Sequence, residues 1–232
     1  MNTPVKTSDN SGNADNNIEN KPAGATGSPT PNIKPFSEAV RFHGHICPGL
    51  AMGYLVAVRA MKELCSGRSE DEELVAIVEN DSCSIDAIQM VTGCTMGKGN
   101  LIFSDHGKQA YTIINRTIKK AIRISLKSEF NTDNLDPELA TLREKAFSEE
   151  ATEQEKKVFR KHMEDVVSTM MKIPDDEILN VREAGLEIPE KARIFKSVRC
   201  AGCGEMVSES RARVQNGKIV CIPCFDAYSR GW

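Results

Sequence analysis

The sequence predicts an α+β protein: a core domain of packed helices and a mixed or antiparallel sheet, followed by a small treble-clef zinc finger. Three observations lead there. Helical patterning fills residues 50–65 and 153–172, on either side of a central block. Within that block, short β-branched runs at 101–103, 111–114 and 122–126 follow one another through short turns, which favours antiparallel pairing. Helices placed ahead of such a meander argue for α+β over a doubly wound sheet. Finally, two Cys-x-x-Cys pairs stand near the end of the chain.

The 232 residues suffice for one sizeable domain and one small one. Charged residues at 27% and hydrophobic ones at 40% are ordinary for a globular protein in water. A net charge of -3 argues against nucleic-acid or anionic-membrane binding by the surface as a whole. No apolar run is long enough to span a bilayer. Met1-Asn2-Thr3-Pro4-Val5-Lys6 lacks the apolar centre of a signal peptide. A cytoplasmic protein with no membrane partner is expected. Its eight cysteines then read as thiols or metal ligands, not as a disulfide framework.

Residues 1–32 are rich in Asn, Ser, Thr, Gly and Pro. They lack the apolar surface that would offset the entropy of ordering, so a disordered tail is expected there, with the core domain over 33–190. The core opens on Phe42-His43-Gly44-His45-Ile46-Cys47-Pro48-Gly49. Side chains two apart share one face of an extended segment, so His43, His45 and Cys47 are expected to converge. Imidazole with thiolate suits a soft or borderline metal. Gly44 permits close approach. Pro48 suits a first helical turn, which sets Cys47 at a helix N-terminus, where the dipole favours thiolate. The helix over 50–65 carries Arg59, Lys62 and Glu63 on one face and apolar or small residues elsewhere. It is therefore expected to be largely buried, with Ser66-Gly67 ending it.

Leu74–Val78 reads as a buried strand that delivers Cys83 to its C-terminal end. A helix follows over 85–91, with Ser82 or Ser84 as its cap. Glycines at 93, 97 and 99 then imply unusual backbone angles or close approaches. This is not a Walker A loop: the Gly93-to-Gly97 spacing is one residue short, and no Ser or Thr follows Lys98. Residues 105–108 read as a turn between two strands. Helices are expected over 137–147 and 153–172, the second with Phe159, Met163, Val166 and Met170 as its apolar stripe. His162 beside that stripe reads as packed or solvated. Residues 175–191 read as a connector leading out of the domain.

In the segment 191–232, Cys200-Ala201-Gly202-Cys203 and Cys221-Ile222-Pro223-Cys224 lie seventeen residues apart, and four thiolates satisfy tetrahedral structural zinc. Asn216-Gly217 between them is the preferred type I′ hairpin turn. A knuckle, a hairpin and a short helix from the second pair describe a treble clef. Eight Lys/Arg face three Asp/Glu here, a local charge of +5. With Phe195, Phe225, Tyr228 and Trp232, such a finger has the ingredients to bind nucleic acid or an acidic protein. The preferred reading is that these aromatics build its small core.

Three blocks together resemble the E-subunit family of formylmethanofuran dehydrogenase. They are Phe42-His43-Gly44-His45-x-Cys47-Pro48-Gly49-Leu50-Ala51, Asp81-x-Cys83-x-Ile85-Asp86-Ala87-Ile88-Gln89, and Thr92-Gly93-Cys94-Thr95-x-Gly97-Lys98-Gly99-Asn100-Leu101. The finger resembles the treble clef appended in some members. The resemblance implies an α+β core, a metal-associated cysteine and histidine pocket, and often a dimer. It also implies association with the tungsten or molybdenum enzyme that reduces carbon dioxide onto methanofuran in methanogenesis. On this reading His43, His45, Cys47 and Cys83 form the catalytic or metal-binding set. Cys94, Asp81, Gln89 and Lys98 surround it, orienting ligands or binding a cofactor. One divalent metal in the core, zinc first, joins the structural zinc of the finger. The expected partners are a second copy, from the apolar excess on 50–64 and 158–171, and the formylmethanofuran dehydrogenase subunits. The competing reading is an adaptor or regulator whose finger binds a protein or nucleic acid while the core only dimerises.

Overall fold

A computed structural model describes residues 33–185 and 187–231; the tail expected to be disordered lies outside the described residues, as does Trp232. The chain enters through helix α1 (Phe36–His43), which buries Ala39. Gly44 ends it at φ 96°, its N–H donating to Val40 O at 2.8 Å. A left-handed cap of this kind suits a residue without a Cβ. Helix α2 (Pro48–Glu63) starts at once, with Cys47 as N-cap and Pro48 in the first turn. The segment 43–47 is therefore not extended, as the alternation suggested. A helix end, a glycine reversal and a helix start take its place. The reason is packing: Phe36, Ala39 and Val40 lie against the core, and this fixes α1 as a helix up to His43.

Helix α2 is buried along Leu50, Ala51, Val56, Ala57 and Ala60. It stops at Glu63, earlier than expected, because the chain turns at Cys65 with φ 44°. Strand β1 (Leu74–Val78) follows, then α3 (Ser84–Thr92), capped by Cys83 and not by either serine. Strands β2 (Leu101–Phe103), β3 (Ala110–Asn115) and β4 (Lys120–Leu126) come next. Helices α4 (Leu139–Ala146), α5 (Glu153–Met170) and α6 (Asp175–Ile178) precede β5 (Leu179–Glu183).

The sheet order is β2-β1-β3-β4-β5. β2 runs parallel to β1, Ala76 opposite Leu101, and every other pair is antiparallel. The sheet is thus mixed, and the class is α+β. β2 and β3 do not form the hairpin their short separation suggested; they flank β1 on opposite sides. The α3 crossover returns the chain parallel to β1, and β1, almost wholly buried, takes an interior place. The segment expected to be a connector instead adds the edge strand β5, with Val181 opposite Ile124. Its alternation of Leu179 and Val181 with Asn180 and Arg182 was present in the sequence but short.

One sheet face, with Ala76, Val78, Tyr111, Ile113, Ile122 and Ile124, packs under α2, α3 and the end of α5. The other carries Val75, Ile114 and Ala121 against Ile102, Ala184 and Ile188. The α5 start is a full capping box: Thr152 Oγ1 accepts the Glu155 N–H and Glu155 Oε2 accepts the Thr152 N–H. α4 and α5 as far as Val166 enclose a small core of their own, Leu139, Ala146, Phe159 and Val166. Val167 and Met170 join the main core. The apolar excess on α2 and α5 is thus consumed inside one chain and is no argument for a dimer.

The C-terminal unit pairs β6 (Ser197–Arg199) with β7 (Met206–Ser208), and β8 (Arg213–Gln215) with β9 (Lys218–Val220). Asn216 and Gly217, at φ 50° and 73°, make the expected primed turn. The short helix expected at the second cysteine pair is a single 3-10 turn, Ile222–Cys224. Phe195 and Tyr228 are exposed, so they do not build a core. Among the described residues of this unit only Cys200 and Val220 are buried.

Candidate metal centre

Two helix N-termini meet over a pair of thiols. Cys47 caps α2, and its Sγ accepts the Leu50 N–H at 3.4 Å. Cys83 caps α3 without such a bond. The helices cross at Gly53, where an added Cβ would stand 2.1 Å from Ser84 O. Gly49 is tight as well, with Cys83 Cβ 3.3 Å from where its Cβ would lie. Small residues on α2 therefore set how near the two sulfurs come. The turn before Cys83 is fixed by Asn80, whose Oδ1 accepts from Ser82 and Ser84 while its Nδ2 donates to Lys108 O. Tyr111 Oη donates to Ser84 Oγ at 2.7 Å from beneath.

The Gly44 reversal lays the His45 ring over that of His43, centroids 4.3 Å apart. His43 Nδ1 is 2.7 Å from Asp86 Oδ2; a proton on Nδ1 is donated to that carboxylate, and the tautomer that carries it there leaves Nε2 with the lone pair. That Nε2 lies 3.7 Å from Cys47 Sγ. One ligand atom from each of His43, His45, Cys47 and Cys83 falls within 4.8 Å of the others. The structure brings these four together, although by a helix reversal and not along a strand.

Two observations test the fit of a metal here. Burial first, then the neighbouring Cys83, push the Cys47 thiol up to about 11. A buried thiol beside a half-buried one resists ionisation, and a bound cation reverses that. Second, a carboxylate on the outer nitrogen of a histidine is the usual support of a ligating imidazole. The residues fit a divalent metal of the zinc type.

Asp86 was missed as a site residue. Its signal was a carboxylate three residues after Cys83, in the first turn of a helix. The other expected surroundings fall elsewhere. Lys98 Nζ donates to Ser69 O and Glu70 O, closing a loop. Cys94 is fully buried outside the cluster, its thiol pushed up to about 11 by burial. Gln89 lines a separate cleft with Arg41 and Arg68, and Asp81 is exposed. The glycine-rich stretch is structural: Gly93 has φ 76°, and an added Cβ would stand 2.3 Å from Ser69 O. His162 pairs with Asp136 at 2.6 Å on the α5 flank, holding that carboxyl below its usual range.

In the C-terminal unit the four sulfurs of Cys200, Cys203, Cys221 and Cys224 likewise gather within 4.8 Å. Backbone N–H groups of Cys203, Cys221 and Gly202 point at Cys200 Sγ and lower its thiol to about 6, whereas the neighbouring thiols raise Cys224 to about 12. Gly202 packs tightly here: an added Cβ would stand 3.0 Å from Cys224 Sγ, and that side chain would have to shift. This cluster fits structural zinc.

No helix of the described residues is long and apolar enough to cross a membrane. Residues 193–230 match the prokaryotic dksA/traR C4-type zinc finger. The chain is 35% identical over 197 residues to a protein of Archaeoglobus fulgidus named a probable S-adenosyl-L-methionine-binding protein. That match covers 82% of this chain and 52% of the other, so the chain spans about half the length of this curated relative. A crystal structure of a tungsten formylmethanofuran dehydrogenase FmdE-like protein from Syntrophus aciditrophicus superposes with a TM-score of 0.51. It shares 25% identity and covers 81% of this chain and 88% of its own. Residues 42–180, more than half of the sequence, match the family described as FmdE, molybdenum formylmethanofuran dehydrogenase operon, and the chain belongs to that family.

Proposed function

We propose that the core of this FmdE-family, zinc-finger-bearing protein holds one divalent metal, zinc first, on His43, His45, Cys47 and Cys83. The observation that carries this is the convergence of the four ligand atoms with Asp86 bound to the far side of His43. Two nitrogen and two sulfur donors complete a tetrahedral shell; the exposed His45 is the ligand a substrate would displace. The protein's role is that of a metal-carrying accessory protein linked to a formylmethanofuran dehydrogenase, and thus to carbon dioxide reduction onto methanofuran. The family description and the name of the Syntrophus relative support that link. Elemental analysis of the full chain tests the site. Two metals per chain are expected, falling to one in Cys47→Ser and in Cys83→Ser. Unchanged content in both variants overturns it.

A homodimer is part of this reading, and what supports it is an exposed apolar side chain on an edge strand, Phe103 of β2, which is 45% exposed. Light scattering should return the mass of two chains; the mass of one rejects the dimer. A second reading has support on the finger, where Ile194, Val214, Ile222 and Tyr228 are exposed. These would serve an adaptor that docks a protein partner. Retained core metal with loss of partner binding after finger removal would favour both roles together, and absence of core metal would leave the adaptor alone.

A further inference from the structure

The turn carrying His45 faces more than the metal cluster. Between it and the α4–α5 hairpin lies a cleft of about 580 Å³, a volume that suits a small organic ligand. His45 and Ile46 line one wall, and Phe147, Phe159 and Met163 line the other. Phe147 stacks edge-on against Phe159, centroids 5.7 Å apart, yet is 77% exposed. A ring left in water at the mouth of an apolar cleft is surface that a ligand can cover.

The charged groups along the cleft narrow the ligand class. Lys156 is already held by Glu153 at 3.0 Å. Arg160, one turn on, feels the charge of Glu153 without bonding to it, so its planar fork of N–H donors is open to a ligand in the cleft. A guanidinium of this kind pairs two-pronged with a carboxylate. Glu164, one turn further, lines the same cleft and disfavours a second negative charge on the ligand.

We propose that this cleft binds an organic monocarboxylate with a flat apolar body. The carboxylate sits on Arg160, the body lies along Phe147 and Phe159, and the far end is directed toward His45. This deepens the metal-centre reading and rests on it for the role of His45; the residues of the cleft itself are separate from the other three ligands.

The test titrates 2-naphthoate and its neutral amide, 2-naphthamide, into the full-length protein, its Arg160→Gln variant and its Phe147→Ala variant. Both side chains are solvent-exposed, so both variants should fold. The wild type should bind the acid more tightly than the amide. Arg160→Gln should weaken the acid about tenfold and leave the amide unchanged. Phe147→Ala should weaken both. Equal affinity for acid and amide, no effect of Arg160→Gln, or no binding of the acid at about 1 mM overturns the proposal. Metal content of the same samples separates the two readings. Naphthoate binding that depends on Arg160 in a protein without core metal sinks the metal centre and keeps the cleft. A full metal complement without carboxylate discrimination does the reverse.

Discussion

Asp86 holds His43 from the side away from the sulfurs: Oδ2 lies 2.7 Å from Nδ1, and Nε2 on the other edge of the ring lies 3.7 Å from Cys47 Sγ. The carboxylate comes from the first turn of α3 and the imidazole from the last turn of α1. One polar contact therefore joins two helices and fixes which ring nitrogen meets a metal.

Asp86→Ala should weaken core metal binding about 10- to 100-fold without unfolding the protein. The Asp86 side chain is 37% exposed, so its loss leaves no cavity. Competition against a chromophoric chelator reads the affinity, and circular dichroism reads the fold. An unchanged affinity would show that the carboxylate does not orient the ligand.

Gly53→Ala should destabilise the core. The new Cβ would stand 2.1 Å from Ser84 O, and backbone cannot yield as a flexible side chain does. Overpacking of this type costs about 1–3 kcal/mol. It should also part α2 from α3, and with them Cys47 from Cys83. Chemical denaturation measures the first effect and metal content the second. A midpoint equal to wild type would contradict the close crossing.

Removing zinc should unfold residues 197–224 while the core survives. The unit buries only Cys200 and Val220 among its described residues, far too little to hold a fold. Structural zinc contributes about 10–16 kcal/mol in comparable fingers. Amide chemical shifts of β6 to β9 should collapse to random-coil positions on chelation and in Cys203→Ser. Dispersed shifts after complete chelation would reject the dependence.

Acid should weaken the sheet through Glu79. Arg123 bonds both of its carboxylate oxygens, Nη2 to Oε2 at 3.0 Å, and this pairing holds the Glu79 carboxyl below its ordinary range against the effect of burial. A carboxyl with a lowered folded value stabilises the fold above the unfolded value, about 4.3, and loses that contribution as pH falls toward the folded value. Glu79→Gln should therefore cost about 2 kcal/mol at pH 7. The gap between wild type and variant should begin to close as pH falls below about 4.3 and go on closing toward the lower folded value. A gap that stays constant as the pH is lowered through and below that value would show that the pair does not couple to protonation.

The sequence by itself determined the features that rest on local chemistry. Pro48 after Cys47 fixed a helix start with a sulfur at its cap. The β-branched run Leu74–Val78 fixed a strand, and Asn216-Gly217 fixed a hairpin. Two Cys-x-x-Cys pairs fixed a four-sulfur cluster. Each depends on residues within a few positions of one another, where dihedral preference and side-chain type act directly.

Only the tertiary structure decided which strands are neighbours, and how the histidines reach the thiols. β2 and β3 are separated by six residues, yet β1 lies between them, because pairing is settled by burial of β1 and the α3 crossover and not by nearness in sequence. His43, His45 and Cys47 meet because α1 packs on the core and Gly44 reverses the chain; their spacing of two was compatible with a strand and was used by a helix end. Asp86 rather than Lys98 or Gln89 stands behind the site because α1 and α3 pack against each other, and no local rule places one helix beside another.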